Sequence, residues 1–277
     1  MPGIDAHQHF WEYDAAKDGW ITNEMAVLKN DFMPQDIEPL LEENDFEGSV
    51  LVQTDQSKEH NDFMLQLASE NDFIKGIVGW IDLQAKDITD QLVKYKQSKI
   101  IKGFRHILQG EKDRALMLEP AFKTGIAALE KFNYTYDILI YCDQLQYASA
   151  LAQAFSSQVF ILDHIAKPNI KQKELSDWKR GIKDLAQCPN VHCKISGMVN
   201  EGDWEKWEQN DFIPYLDFIV ETFGINRIMF GSDWPVCLLA ASYNDVVNIV
   251  SDYFSSFSVN EQDLFFGENA KKIYNLN

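Results

Sequence analysis

The chain has 277 residues, 45% of them apolar and 25% charged, which is ordinary globular usage and enough to bury a large core. No apolar run approaches the ~18 residues of a membrane span, and a formal charge of −18 disfavours phosphate backbones. Neither nucleic acid nor membrane is therefore an expected partner, and the absence of a basic-then-apolar leader in MPGIDAHQHFW points to a cytoplasmic location.

The first β-rich run, GIDAHQHF over 3–10, sets two histidines and an aspartate in an otherwise apolar strand. Alternate side chains of a strand share a face, so Asp5, His7 and His9 are expected to project together, with Ile4, Ala6 and Gln8 on the other side. Segment 12–32, with Trp11, Tyr13 and Trp20 near its start, is too long for a tight connection and reads as a lid or specificity loop. Seven more β-rich runs follow at 48–54, 74–81, 100–108, 134–141, 159–166, 191–198 and 227–234. Between the runs, apolar residues recur at three- and four-residue spacing over 36–44, 61–71, 87–97, 120–132, 144–155, 174–187 and 211–224, as in helices with one buried face. This alternation, without a linker or a shift in composition, predicts an α/β chain with a single domain over 1–277, its parallel strands closed into a (β/α)8 TIM barrel. An open doubly wound sheet is the competing arrangement, but no G-x-G-x-x-G follows the first strand. Two further helices at 242–254 and 259–276 end the chain, and the second, through Leu264, Phe265, Ile273 and Tyr274, is expected to seal the outside of the barrel. Cys142, Cys188, Cys193 and Cys237 form no CxxC pair and read as reduced packing residues.

In such a barrel, polar residues at the C-terminal strand ends converge on one mouth. That rule selects His7 and His9 from strand one, His106 from strand four, His164 from strand six and Asp233 from strand eight. It sets aside His60, in a helix start, and His192, at the opposite end of strand seven. A lone strand-end histidine is commonly a hydrogen-bonded structural residue. Imidazoles and a carboxylate converging from several strands can instead hold a divalent ion or orient an attacking water.

The runs IDAHQHFW at 4–11, GFRHILQ at 103–109, ILDHIAKP at 161–168, FGSDWPV at 230–236 and the terminal GENAKKIY at 267–274 resemble the amidohydrolase superfamily. More narrowly, they are similar to its amidohydrolase-related sugar lactonases, the L-fuconolactonase and L-rhamnonolactonase branch. The resemblance implies an amidohydrolase-like barrel that opens an aldonolactone, such as L-fuconolactone or L-rhamnonolactone, to the sugar acid. By motif, His7, His9 and His164 match the family's histidines and Asp233 its water-activating aspartate, the four forming both the catalytic and the metal-ligating set. The implied ion is zinc, although a metal-free route also exists among related lactonases. Arg105 and His106 match the substrate-holding segment, and binuclear members carry a carboxylated lysine there. Strand five offers Tyr141 and Gln144 but no histidine, so two metals are not expected, and a single-metal site is one imidazole short.

A lactone carbonyl is a reactive ester, so hydrolysis needs a positioned water, a base and a group that offsets the developing oxyanion. Asp233 is the expected base, and Arg105 with His106 the expected oxyanion partners. Gln53, Trp80, Tyr141 and Trp234 are candidates for meeting sugar hydroxyls and ring faces, while Lys167 and Lys194 stay outside the set and Asp5 braces the first strand. A metal-dependent decarboxylase on the same skeleton and a non-catalytic sugar- or metal-binding barrel are the alternatives. The expected partner is a small lactone, and a homo-oligomer is compatible with the chain.

Overall fold

Eight parallel strands, hydrogen-bonded in chain order, curl into a nearly closed barrel in a computed structural model that describes residues 2–276. The strands are β1 (Gly3–Gln8), β2 (Phe46–Val52), β3 (Ile74–Gly79), β4 (Ile101–Ile107), β5 (Thr135–Leu139), β6 (Phe160–Leu162), β7 (Val191–Ile195) and β8 (Ile228–Phe230). Around them lie α1 (Pro34–Glu43), α2 (Lys58–Glu70), α3 (Ile88–Tyr95), α4 (Pro120–Phe132), α5 (Leu145–Ala154), α6 (Ser176–Ala186), the single turn α7 (Met198–Glu201) and α8 (Gln209–Phe223). The chain ends with α9 (Tyr243–Phe254), α10 (Val259–Asp263) and α11 (Asn269–Ile273). Local chemistry sets many of these boundaries. Pro120 opens α4 and Asn133, left-handed at φ 57°, closes it, while Ser242 and Asp245 cap α9 reciprocally. No helix among the described residues is long and apolar enough to cross a membrane.

The ring closes at its C-terminal rim. Gln8 forms a parallel bridge with Trp234, His9 N–H donates to the Trp234 carbonyl at 2.8 Å, and Asp233 N–H donates to the His7 carbonyl at 2.8 Å. The seam between first and last strands therefore runs through the residues singled out by their chemistry.

Strict alternation along β1 does not hold. Its register with β2 shifts between Asp5 and Gln8, and such an irregularity re-aims the side chains that follow it. Ile4 and Ala6 join Val50, Val52, Val78, Ile161 and Met229 in an apolar set inside the barrel. Asp5 instead accepts a hydrogen bond from Tyr243 of α9 at 3.3 Å, as well as from the Ser232 N–H at 2.9 Å. After the shift His7 faces the interior, where Arg105 and Lys194 meet it, so Asp5 and His7 do not share a face. Asp5 nonetheless braces the strand.

The tail divides in a way its apolar pattern did not suggest. Phe265 stacks on Phe254 at 4.1 Å in the outer layer, whereas Ala270 and Tyr274 plug the end of the barrel opposite the mouth. The Tyr274 hydroxyl enters far enough to donate to Asp137 at 2.6 Å. Segment 12–32 folds onto the rim, closed by an antiparallel bridge between Trp11 and Phe32 and filled by Trp11, Ile21 and Leu28.

Candidate active site

Four buried side chains meet where β1, β6 and β8 end. Asp233 Oδ1 lies 3.2 Å from His9 Nε2 and 3.8 Å from both His7 Nε2 and His164 Nε2. His9 Nδ1 must carry a proton, because it sits 2.7 Å from the Val52 carbonyl, which can only accept. The Nε2 lone pair of a neutral His9 then faces a carboxylate oxygen, an acceptor against an acceptor that calls for a proton or a cation between them. His7, His164 and Asp233 each offer one ligand atom, all within 4.8 Å of one another. Two imidazoles and a carboxylate with an open side fit a divalent metal ion.

Electrostatics favours the same use. Burial, aided by the charge of Lys194, holds His7 well below the usual imidazole range, and burial does the same for His164. Both are neutral at pH 7, the state in which an imidazole can ligate a metal. Burial opposes ionisation of Asp233, but the imidazoles of His164 and His9 around it outweigh burial and keep the carboxyl below its ordinary value of 3.8.

The backbone is bent to make this meeting possible. Residues His164, Ile165, Ala166 and Lys167 all have φ between 48° and 61°, and Asp233 has φ 59°. Left-handed geometry costs an L-residue about 1–2 kcal/mol, so a run of four persists only because its surroundings fix it. Trp178 Nε1–H donates to the Ile165 carbonyl at 2.7 Å, and the His164 ring is tied through Nδ1 to Ser196 Oγ at 2.8 Å. Two glycines leave the space the rings need. A Cβ on Gly197 would stand 2.8 Å from His164 Nδ1, and one on Gly231 would stand 2.7 Å from His7 Cβ.

Beneath the histidines lies a buried group of charges. Lys194 Nζ is 2.6 Å from Asp137 Oδ2, 3.1 Å from Asp163 Oδ1 and 3.2 Å from His7 Nδ1. Arg105 Nη1 donates to Asp163 Oδ2 at 3.0 Å and approaches His7 Nε2 at 3.2 Å, and its Nη2 donates to the Gln53 carbonyl. Asp163 Oδ1 stands 3.3 Å from His7 Nδ1 without a hydrogen bond among the described residues, and the two ring nitrogens of His7 face cationic donors, Lys194 at Nδ1 and Arg105 at Nε2. Lys194, which the sequence reading set outside the site, and Asp137, which it did not single out, thus support the site from inside the barrel. A lysine in VHCKI and an aspartate in TYDIL, each in the middle of an apolar strand, were the available signal.

The other sequence candidates divide. Gln53 and Arg105 lie beneath the cluster, Gln53 Nε2 donating to the Arg105 carbonyl at 3.2 Å. Tyr141 is half-exposed, with Lys167 Nζ and the Arg114 guanidinium each 5.9 Å from its ring. Trp80 is clamped through its main chain by Asn61. His106 does not join the cluster. It follows the inward-facing Arg105, so alternation turns it outward, onto Phe122 of α4 and onto Glu111 at 2.8 Å. Trp234 is also packed away from the opening, edge-on to Phe10 and Phe32 under the 12–32 segment. His60 Nε2 accepts from the Thr54 N–H at 3.2 Å, a structural role consistent with burial lowering it to about 4.

A parallel barrel whose histidines and aspartate meet at the C-terminal mouth defines an amidohydrolase-type enzyme. The chain belongs to the amidohydrolase family, whose pattern it matches over residues 4–276. It is 36% identical to an L-fucono-1,5-lactonase of Burkholderia multivorans, an alignment that covers 99% of this chain and 96% of that one. It is 33% identical to an L-fucono-1,5-lactonase of Burkholderia ambifaria over 87% of this chain and 83% of the relative. A crystal structure of an amidohydrolase from Burkholderia multivorans with bound zinc superposes with a TM-score of 0.97 at 36% identity, each chain covered in full.

Proposed function

We propose that the protein hydrolyses a sugar lactone of the L-fucono-1,5-lactone kind to the open sugar acid, with Asp233 carrying the proton and zinc as the divalent ion. The observation that carries this reading is the Asp233 carboxylate caged by His7, His9 and His164, in a chain whose lactonase relatives align along most of its length. Asp233 Oδ1 takes a proton from water as the oxygen bonds to the lactone carbonyl carbon. When the tetrahedral intermediate collapses, the carbon–ring-oxygen bond breaks and the same proton passes from Asp233 to the leaving alkoxide. When bound by His7, His164 and Asp233, the cation supplies Lewis acidity toward water and carbonyl. His9, anchored on Val52, keeps Asp233 aimed. Tyr141, with Lys167 Nζ 5.9 Å from its ring, is the side chain assigned in this reading to meet the sugar ring.

The test is acid release, followed with a pH indicator, from L-fucono-1,5-lactone and from an L-rhamnonolactone, paired with elemental analysis of the purified protein. Turnover of at least one, with about one zinc per chain, is expected. No acid from either lactone by zinc-supplemented protein would remove the proposal.

A further inference from the structure

A cleft of about 580 Å³ opens beside the cluster, between α7 and the chain that follows His164, with Asn169, Lys171, Asn200, Glu201 and Asp203 on its walls. Asn200 belongs to cleft and cluster at once. Its Nδ2 donates to Asp233 Oδ2 at 2.8 Å, which leaves Oδ1 of that carboxylate to the three histidines. The orientation is forced, because a carboxylate only accepts and the amide nitrogen must face it. Asn200 Oδ1 is therefore turned away from Asp233, and it is buried without a hydrogen-bond partner among the described residues. A buried acceptor in that state carries a desolvation cost that a donor on a ligand would relieve. The segment is held in place on both sides: the Asn200 carbonyl accepts from Trp204 Nε1 at 2.9 Å and the Glu201 carbonyl from Lys171 N–H at 2.9 Å. Glu201 sets a second acceptor beside the first, with Lys167 Nζ 3.9 Å from its carboxylate.

We propose that Asn200 is a positioning and specificity residue, holding Asp233 through Nδ2 while Oδ1 accepts a hydrogen bond from a ring hydroxyl of the lactone. This rests on the lactonase reading and narrows it: the site demands a hydroxyl-bearing ring and discriminates against the bare lactone. The experiment compares kcat/KM for L-fucono-1,5-lactone with that for δ-valerolactone, the same six-membered ring without hydroxyls, in wild type, Asn200→Ala and Asn200→Asp. Asn200→Ala should cut the preference for the hydroxylated ring by about tenfold to a hundredfold, the effect of one substrate hydrogen bond. Asn200→Asp keeps the acceptor but loses the donor and sets a like charge against Asp233, so it should lower kcat on both rings and leave the preference within about threefold of wild type. A loss in Asn200→Ala that is equal for the two rings would overturn the specificity role. An unchanged kcat in Asn200→Asp would overturn the positioning role. Wild-type protein inactive on both rings would instead remove the lactonase reading, and this inference with it.

Discussion

Asp233 is ionised where burial alone would protonate it, and each of its oxygens has assigned neighbours, the histidines on Oδ1 and Asn200 on Oδ2. Asp233→Asn keeps the shape and removes the base, so kcat on the lactone should fall by about 10²–10⁴-fold. Affinity for the sugar acid, measured by calorimetry, should change far less; retention of full turnover would place the base elsewhere. The pH profile follows from the same shifts. His7 and His164 are held well below 6.5 by burial and Asp233 below 3.8 by the imidazoles around it, so none of the three titrates at its ordinary value. kcat/KM should therefore show no inflection near 6.5 from His7 or His164, and its acid limb should lie below that range. An inflection near 6.5 would show an ordinary imidazole at work in the site. Gly197 gives a third test at this scale, since its φ of 64° and the nearness of His164 leave no space for a methyl group. Gly197→Ala should destabilise the fold by about 1–3 kcal/mol in urea titrations and depress kcat by displacing the His164 ring.

The strands decide which of these groups can meet. The eight runs of β-rich sequence were legible because each is short, apolar and followed by a helix-period segment, and the strand-end histidines followed from the barrel rule. The shift within β1 was not legible, because residues 4–9 look the same with or without it and only pairing with β2 reveals it. α7 escaped for a different reason: four residues are too few to show a helical period, although Asn200 lies in it. Asp5 shows what the shift does energetically. Burial raises its carboxyl from 3.8 to about 6, against the hydrogen bonds from Ser232, His7 and Tyr243 that favour the anion. The folded chain thus binds this proton more tightly than the unfolded chain, a contribution complete below pH 3.8 and lost as the pH rises through about 6. Asp5→Asn is neutral throughout, so its stability relative to wild type should improve by roughly 2–3 kcal/mol between about pH 4 and about pH 7. A difference that stays level with pH would mean that Asp5 titrates as an exposed carboxyl does. Inside the barrel, β4, β5, the residue just after β6 and β7 supply Arg105, Asp137, Asp163 and Lys194, two cations against two anions. Lys194→Met leaves buried Asp137 without its cation and Asp163 with Arg105 alone, and should cost about 3–5 kcal/mol, read from denaturant midpoints. A smaller loss would mean that water reaches the group.

At the scale of the whole molecule, a formal charge of −18 surrounds a mouth whose ligand atoms include a carboxylate and neutral imidazoles. Such a field raises the local concentration of cations and lowers that of anions, which suits a divalent ion and an uncharged lactone and disfavours the sugar acid product. The cluster also exists only in the folded chain, because it joins residues 7, 164 and 233 across the seam where the barrel closes. An ion that binds there stabilises the fold by RT ln(1 + [L]/Kd), about 4 kcal/mol at a thousandfold excess over Kd. For a chain of 277 residues, that corresponds to a rise in Tm of about 5–10 °C. Protein stripped with a chelator should melt lower, and added zinc should restore the loss. His164→Ala removes one ligand without touching the seam's backbone bonds, so it should melt at the same temperature with and without zinc. A zinc-dependent rise that survives in His164→Ala would place the ion elsewhere on the acidic surface, and a melting temperature that ignores zinc in the wild-type protein would show that the seam closes on hydrogen bonds alone.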